Sequence, residues 1–157
     1  MPNVRVKGVP AMALAQMNET YLQDLVLGDT PESTLPLSEV VGVLRDGFPY
    51  EWLEKAADRL GVSRTSLAVL LGVPERTLAR RKREGKFRPS ESDRLFRLFR
   101  IVFRAEEVFG EPERAHRWLR KPNRVLDGEA PINLLDTDFG AKQVETVLGR
   151  IEHGVVS

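Results

Sequence analysis

The sequence predicts an all-α protein, and three observations lead to that fold class. Aromatic residues make up only 7% of the 157 residues, and long runs of helix-forming residues dominate the chain. From residue 38 onward, apolar residues recur at helical spacing, and glycine or proline separates one stripe from the next. The apolar and charged fractions, 41% and 30%, suit a soluble globular protein.

Residues 1–36 are expected to form a flexible leader with at most one short helix, near Tyr21–Leu27. The first 17 residues superficially resemble a secretory signal, but their apolar part is short and Pro10 interrupts it. Residues 28–36 are rich in turn formers and carry no helical stripe. The ordered part of the chain is therefore predicted to begin at about residue 37.

Seven helices are predicted from the stripes and from their capping residues. Ser38 and Ser63 are expected N-caps, and residues 90–93 match a capping box ahead of a long apolar helix. The predicted helices are Glu39–Arg45, Tyr50–Leu60, Arg64–Leu71, Glu75–Arg83, Arg94–Phe109, Glu113–Leu119 and Ala141–Ile151.

Positive charge is concentrated in the middle of the chain. Residues 76–88 contain seven basic residues and one acidic residue, although the whole chain carries a net charge of only +1. Residues 63–104 sum to +8, between an N-terminal segment at −4 and a C-terminal segment at −3. A cationic element of this density most often meets nucleic-acid phosphate, which suggests segregated roles along the chain.

The basic element lies in a predicted helix-turn-helix. Two short helices meet at Gly72-Val73, and Pro74 occupies the favoured first helical position. The second helix of such a motif presents its N-terminal residues to base edges in the major groove. Arg76, Thr77 and Arg80 are therefore assigned to base edges. The remaining basic residues are assigned to phosphate, namely Arg81, Lys82, Arg83 and Lys86. The alternative is a solvated basic helix.

The long helix carries a ridge of arginines, Arg94, Arg97, Arg100 and Arg104, on an otherwise apolar surface. A helix this apolar is expected to be buried on most sides. A solvent-facing stripe is the favoured interpretation of the arginines. Phosphate contacts or pairing with an acidic partner are the alternatives.

The sequence contains no recognisable catalytic cluster. His116 and His153 are isolated imidazoles, there is no cysteine, and no glycine-rich phosphate loop occurs. Asp127, Asp136 and Asp138 are interpreted as turn and capping residues. We therefore expect no catalytic residue, no bound metal and no cofactor, and we expect a protein that is not an enzyme. No apolar stretch reaches the ~18 residues of a membrane span, and the absence of cysteine suits a reducing cytoplasm.

The C-terminal region resembles the toxin-binding domain of the MbcA/ParS/Xre antitoxins. The matching positions are Asn123, Leu126, Gly128, Pro131, Leu134, Leu135, Thr137, Gly140, Val144, Leu148, Arg150, Ile151, Gly154 and Val155. Together with the helix-turn-helix, residues 37–157 are similar to the antitoxin of a Res–Xre type II toxin–antitoxin pair. Two positions depart from the family pattern: Asp127 replaces a common glycine, and Ile132 replaces a leucine or methionine.

The resemblance implies a helix-turn-helix domain at 37–89 and a helical dimerisation and toxin-binding domain at 90–157. It also implies a toxin of ADP-ribosyltransferase-like fold that depletes NAD and whose active site the antitoxin obstructs. Homodimers would bind promoter DNA and repress the operon. The implied toxin contacts are Asn123, Thr137, Arg150, Glu152, Val155, Val156 and Ser157. The alternative function is a free-standing regulator whose C-terminal half dimerises or senses a ligand.

Overall fold

The computed structural model describes residues 37–154, and within this range the predicted all-α class is confirmed. The predictions for residues 1–36 and for the last three residues lie outside it. The seven helices are α1 (Leu37–Asp46), α2 (Glu51–Leu60), α3 (Arg64–Leu70), α4 (Glu75–Glu84), α5 (Pro89–Phe109), α6 (Pro112–Arg120) and α7 (Asp138–Glu152). Two 3₁₀ turns, Arg124–Leu126 and Pro131–Leu134, connect α6 to α7.

Four helices begin earlier than predicted, namely α1, α5, α6 and α7, and Ser38 lies inside α1 rather than at its N-cap. The starts of α5 and α7 follow from their capping residues. Helix α5 begins at Pro89, and the Glu91 carboxylate accepts a hydrogen bond from the backbone N–H of Arg88 at 2.8 Å. Helix α7 begins at Asp138, because the Thr137 hydroxyl accepts a hydrogen bond from the Gly140 N–H at 3.0 Å. The capping box proposed for Ser90 and Asp93 is thus wrong, because Arg88 and Glu91 form the box instead.

Helix α5 forms the centre of the structure and contributes to one continuous core that extends from Val40 to Leu148. On the helix-turn-helix side, Trp52 of α2 is 1% exposed. Its ring lies edge-on to Phe48 at 4.7 Å and to Phe99 of α5 at 6.4 Å, measured between ring centroids. On the other side, α6 and α7 bury Leu119, Val144 and Leu148 in the same core. Both halves of the chain are therefore anchored to one helix.

The segment that follows α4 is tied to the loop before α2. The Phe87 N–H donates to the Phe48 carbonyl at 2.8 Å, and the Tyr50 N–H donates to the Gly85 carbonyl at 2.9 Å. Gly47 permits this approach, since a β-carbon there would lie 2.2 Å from the Phe87 carbonyl oxygen. These contacts hold the C-terminal end of α4 against the core.

Between residues 37 and 154, no helix combines the length and the apolarity that crossing a bilayer requires.

Candidate functional sites

The helix-turn-helix predicted from the turn residues is present as α3 and α4. The Ser63 hydroxyl caps α3 by accepting a hydrogen bond from the Ser66 N–H at 3.0 Å. Gly72 adopts a left-handed conformation with φ 68°, and the next N–H, that of Val73, donates to the Ala68 carbonyl at 2.8 Å. Leu78 is buried and fixes α4 against α3. The turn thus orients α4 while its polar side faces outward.

Arg94 of α5 contacts the turn between α3 and α4, and the sequence did not reveal this contact. Its Nη1 donates a hydrogen bond to the Leu71 carbonyl at 3.0 Å. The guanidinium lies so close that a β-carbon at Gly72 would be 3.1 Å from it. Arg94 therefore supports the turn that positions α4.

The outward face of α4 carries most of the residues predicted to bind DNA. Four basic side chains there are exposed and form no ion pair within residues 37–154, namely Arg76, Arg80, Lys82 and Arg83. Thr77 is half-buried, and Lys86 is exposed, 3.8 Å from the Asp46 carboxylate. The six side chains lie on or next to one helix, where the charges of the four unpaired basic residues are available to an external partner.

Arg81 does not belong to this face, and its assignment to phosphate is wrong. The residue is 5% exposed. Its Nε and Nη2 donate to the two carboxylate oxygens of Glu91 at 2.6 and 3.0 Å, and its Nη1 donates to Glu84 at 2.9 Å. Arg81 follows Leu78 by three residues, so helical spacing could have placed it on the buried side.

The buried pair of Arg81 and Glu91 joins α4 to α5. The hydrogen bond from Arg81 to Glu91 raises the pKa of Arg81 above its ordinary value, although burial acts in the opposite direction. Burial raises the pKa of Glu91, but the hydrogen bonds from Arg81 and from the Arg88 N–H outweigh it, so that pKa lies below its ordinary value. Both groups are therefore charged at neutral pH.

The arginine ridge of α5 is not a solvent-facing stripe. Arg97 lies 3.9 Å from Asp138, Arg100 lies 3.0 Å from Glu145, and Arg104 forms an ion pair with Glu152. All three acids belong to α7 of the same chain, so these arginines are paired within the protein rather than exposed to solvent. These ion pairs stabilise the packing of α7 against α5.

Several predicted toxin contacts also have roles within the chain. The Asn123 side chain accepts a hydrogen bond from the Val125 N–H at 2.9 Å and thereby caps the first 3₁₀ turn. The Thr137 hydroxyl caps α7, and the Glu152 carboxylate pairs with Arg104. Arg150 is exposed and unpaired within the described residues. Its assignment as a contact stays a prediction.

The outward face of α7 includes an aromatic residue that the sequence reasoning missed. Phe139 is 73% exposed. It lies opposite the buried stripe of Val144 and Leu148, at the start of a row of exposed residues spaced by three or four positions. The row consists of Phe139, Gln143, Thr146, Arg150 and His153. Helical spacing from the buried stripe could have identified this row.

The loop before α7 is held by close backbone packing. A β-carbon at Gly140 would lie 2.0 Å from the Leu134 carbonyl oxygen, so the second 3₁₀ turn rests directly on the first turn of α7. Asp127, where the resembling family has glycine, adopts a left-handed conformation with φ 56°. A glycine preference at that position follows from this backbone.

A partly buried ionic cluster joins the two halves of the chain. Arg59 of α2 donates from Nε and Nη2 to the Glu106 carboxylate at 2.6 and 2.7 Å. The same carboxylate lies 2.5 Å from Nε2 of His116 on α6. His116, which the sequence left without partners, thus lies in a bridge between α2, α5 and α6. Across residues 37–154, no three His, Asp or Glu side chains are grouped for a metal ion.

These features define a helix-turn-helix protein with a second helical domain, and the two domains share the long helix α5. Residues 39–100 match the model of the antitoxin Xre-like helix-turn-helix domain. Residues 104–154 match the antitoxin Xre/MbcA/ParS C-terminal toxin-binding domain. The matches meet inside α5.

Named relatives agree with these matches. The chain is 33% identical to antitoxin Xre of Photorhabdus laumondii, over 73% of this chain and 79% of the relative. It is 32% identical to antitoxin Xre of Yersinia enterocolitica, over 80% and 88%. It is 40% identical to antitoxin Xre of Pseudomonas putida, over 71% and 69%. The chain therefore belongs to the Xre/MbcA/ParS antitoxin family, and its class is that of a type II antitoxin.

Proposed function

We propose that this protein neutralises a cognate toxin by direct binding through its C-terminal domain and represses its own operon through α4. The observation that carries the proposal is the arrangement of the two matched domains on α5, each with an outward face of side chains that the rest of the described chain does not use. The proposed setting is the cytoplasm, where a toxin and the operon DNA are both accessible.

The toxin-binding face is assigned to the outward row of α7. Three acids beside this row form ion pairs with the arginines of α5, namely Asp138, Glu145 and Glu152. The row itself then offers the aromatic ring of Phe139 at one end and the positive charge of Arg150 near the other. An exposed aromatic residue and an arginine are the types most often found at interface hot spots. We assign Phe139 as the apolar anchor and Arg150 as the polar one.

The toxin is proposed to be of the Res type, an NAD-depleting enzyme of ADP-ribosyltransferase-like fold. The resemblance of residues 123–155 to the toxin-binding domain of Res–Xre antitoxins supports this identity. Obstruction of the active site is the expected mode of neutralisation, with the loop 123–140 and α7 facing the toxin.

The DNA-binding face is assigned to the exposed side of α4. Arg76, Thr77 and Arg80 lie in its first turns, where a helix in the major groove approaches base edges. Lys82, Arg83 and Lys86 follow and would neutralise phosphate. A single short helix reads few base pairs, so we propose a homodimer on a palindromic site.

Co-expression with the product of the neighbouring gene tests the proposal. The full chain should co-purify with that protein and restore growth, whereas the Phe139→Ala, Arg150→Ala double variant should lose at least tenfold in toxin affinity, since two hot-spot residues contribute at least about 2 kcal/mol together. Lys82→Ala serves as the control and should neutralise toxin normally. A wild-type chain that neither binds nor protects would indicate a free-standing regulator instead.

A further inference from the structure

We propose that a second basic surface, on α6 and the turn after it, binds phosphates that flank the DNA site of α4. This surface, the α6 ridge, consists of Arg117, Arg120, Lys121 and Arg124. The inference rests on the proposed DNA binding by α4 and extends the DNA interface into the C-terminal domain.

The charge of the α6 ridge is not balanced within the described chain. Residues 114–124 contain five basic residues and no acidic one, inside a C-terminal segment that is acidic overall. All four ridge residues are exposed, and none forms an ion pair within residues 37–154. The α5 arginines 97, 100 and 104 each have an acidic partner. The ridge charges are therefore available to a partner outside the chain.

Helix electrostatics alone do not account for the ridge. The negative end of α6 favours Arg117 and Arg120, which lie in its last turn. Lys121 and Arg124 lie beyond the end of that helix. Like charges this close also repel one another. An external polyanion would remove that repulsion.

The position of Arg120 places the ridge beside the helix-turn-helix. A β-carbon at Gly61, the residue that ends α2, would lie 3.2 Å from Arg120 Nη1. Ser63, two residues further on, caps α3, and Arg64 is exposed there. In helix-turn-helix proteins the first helix of the motif crosses the phosphate backbone while the second lies in the groove. Arg120 thus lies near the N-terminal end of α3, the helix that the phosphate backbone would cross.

The connection between the ridge and the motif is firm. The Glu106 carboxylate binds Arg59 of α2 and His116 of α6 within 2.5–2.7 Å. Arg120 follows His116 by one turn, and its Nε donates to the His116 carbonyl at 3.2 Å. Binding of α4 to DNA would therefore bring the ridge to a fixed place along the duplex.

The test compares two double variants of the full chain that remove the same charge. Arg117→Gln with Lys121→Gln removes two ridge charges, and Lys55→Gln with Lys142→Gln removes two charges at exposed positions of α2 and α7. Dissociation constants for a random-sequence duplex and for the duplex upstream of the gene are measured against salt. The ridge variant should bind both duplexes five- to tenfold more weakly per lost contact at about 0.1 M salt, with the salt slope lower by about 0.9 per contact. The control variant should match the wild type in DNA binding.

Three outcomes decide the matter once unchanged melting temperatures show that both variants are folded. Unchanged affinity and slope in the ridge variant, while Lys82→Ala weakens binding, would overturn the ridge proposal and leave α4 as the DNA reader. If neither the ridge variant nor Lys82→Ala changed the DNA affinity, both the ridge proposal and the proposal of DNA binding by α4 would be overturned. Normal DNA binding with lost toxin capture would identify the ridge as a toxin surface and would also overturn the proposal.

Discussion

Helices α4 and α5 are both rich in arginine, yet they use it in different ways. On α4, Arg76, Arg80 and Arg83 are exposed and unpaired within the described residues, whereas on α5 each of the four arginines contacts a group elsewhere in the chain. The side chain is the same in both helices, and what differs is the neighbour that the fold supplies. Helix α7 places three acids along α5, whereas no helix between residues 37 and 154 places acids along the outer side of α4. The role of an arginine is therefore decided by tertiary contacts rather than by local charge density.

Arg81 is the exception on α4, and its replacement should give the largest effect. Arg81→Ala leaves Glu91 buried without its charged partner, which costs about 3–5 kcal/mol of folding free energy. Urea unfolding measures that loss, and DNA binding should fall only because the helix-turn-helix is no longer fully folded.

Lys82→Ala is the matched control, since Lys82 is the next residue of α4 and is exposed. Its unfolding free energy should stay within about 0.5 kcal/mol of the wild type, while the salt slope of DNA binding should fall by about 0.9. If Arg81→Ala folded as stably as Lys82→Ala, the distinction between paired and unpaired arginines would fail on α4.

Glu91→Gln tests the same pair through pH. The variant loses a charge-assisted hydrogen bond and should be less stable by about 1.5–3 kcal/mol at neutral pH. The pKa of Glu91 is lower in the folded state than its ordinary value. Its contribution to stability is therefore present above the unfolded pKa of about 4.3 and is lost as the pH falls through the lower folded pKa.

Unfolding curves recorded from neutral to acid pH provide the measurement. The wild type and Glu91→Gln should converge in stability as the pH falls below about 4. A constant difference at every pH would mean that the ionised form of Glu91 is not what stabilises the fold.

Caps and turns that depend on a few neighbouring residues could be predicted from the sequence, whereas contacts between distant residues could not. The start of α3 and the turn at Gly72 follow from a serine cap and a left-handed glycine, which are signals within a few residues. The burial of Arg81 was within reach, because helical spacing puts it near Leu78. The partner of Arg104 was not, since Glu152 lies 48 residues away and only the packing of α7 on α5 brings them together. The exposure of Phe139, by contrast, was within reach, because helical spacing puts it opposite the stripe of Val144 and Leu148.

Arg94→Met separates support of the turn from contact with DNA. The change keeps an apolar stem but removes the donor to the Leu71 carbonyl, at a cost of roughly 1 kcal/mol. DNA affinity should fall because the turn loosens, while the salt slope should not change, since no phosphate contact is lost. Arg83→Met, on the exposed side of α4, should lower both the DNA affinity and the salt slope, because Arg83 is assigned to phosphate. A reduced salt slope in Arg94→Met would place Arg94 on phosphate and contradict its supporting role.

The smallest effect is expected at the pair of Arg100 and Glu145, which lies 3.0 Å apart with both side chains about one-third exposed. A double-mutant cycle with Arg100→Ala, Glu145→Ala and the combined variant should give a coupling of about 0.2–1 kcal/mol that declines with added salt. The Glu145→Ala variant should still bind toxin, because this acid lies beside the outward row of α7 rather than in it. A coupling as large as that expected for Arg81 and Glu91 would show that α5 uses its arginines to hold the fold as strongly as the buried pair does.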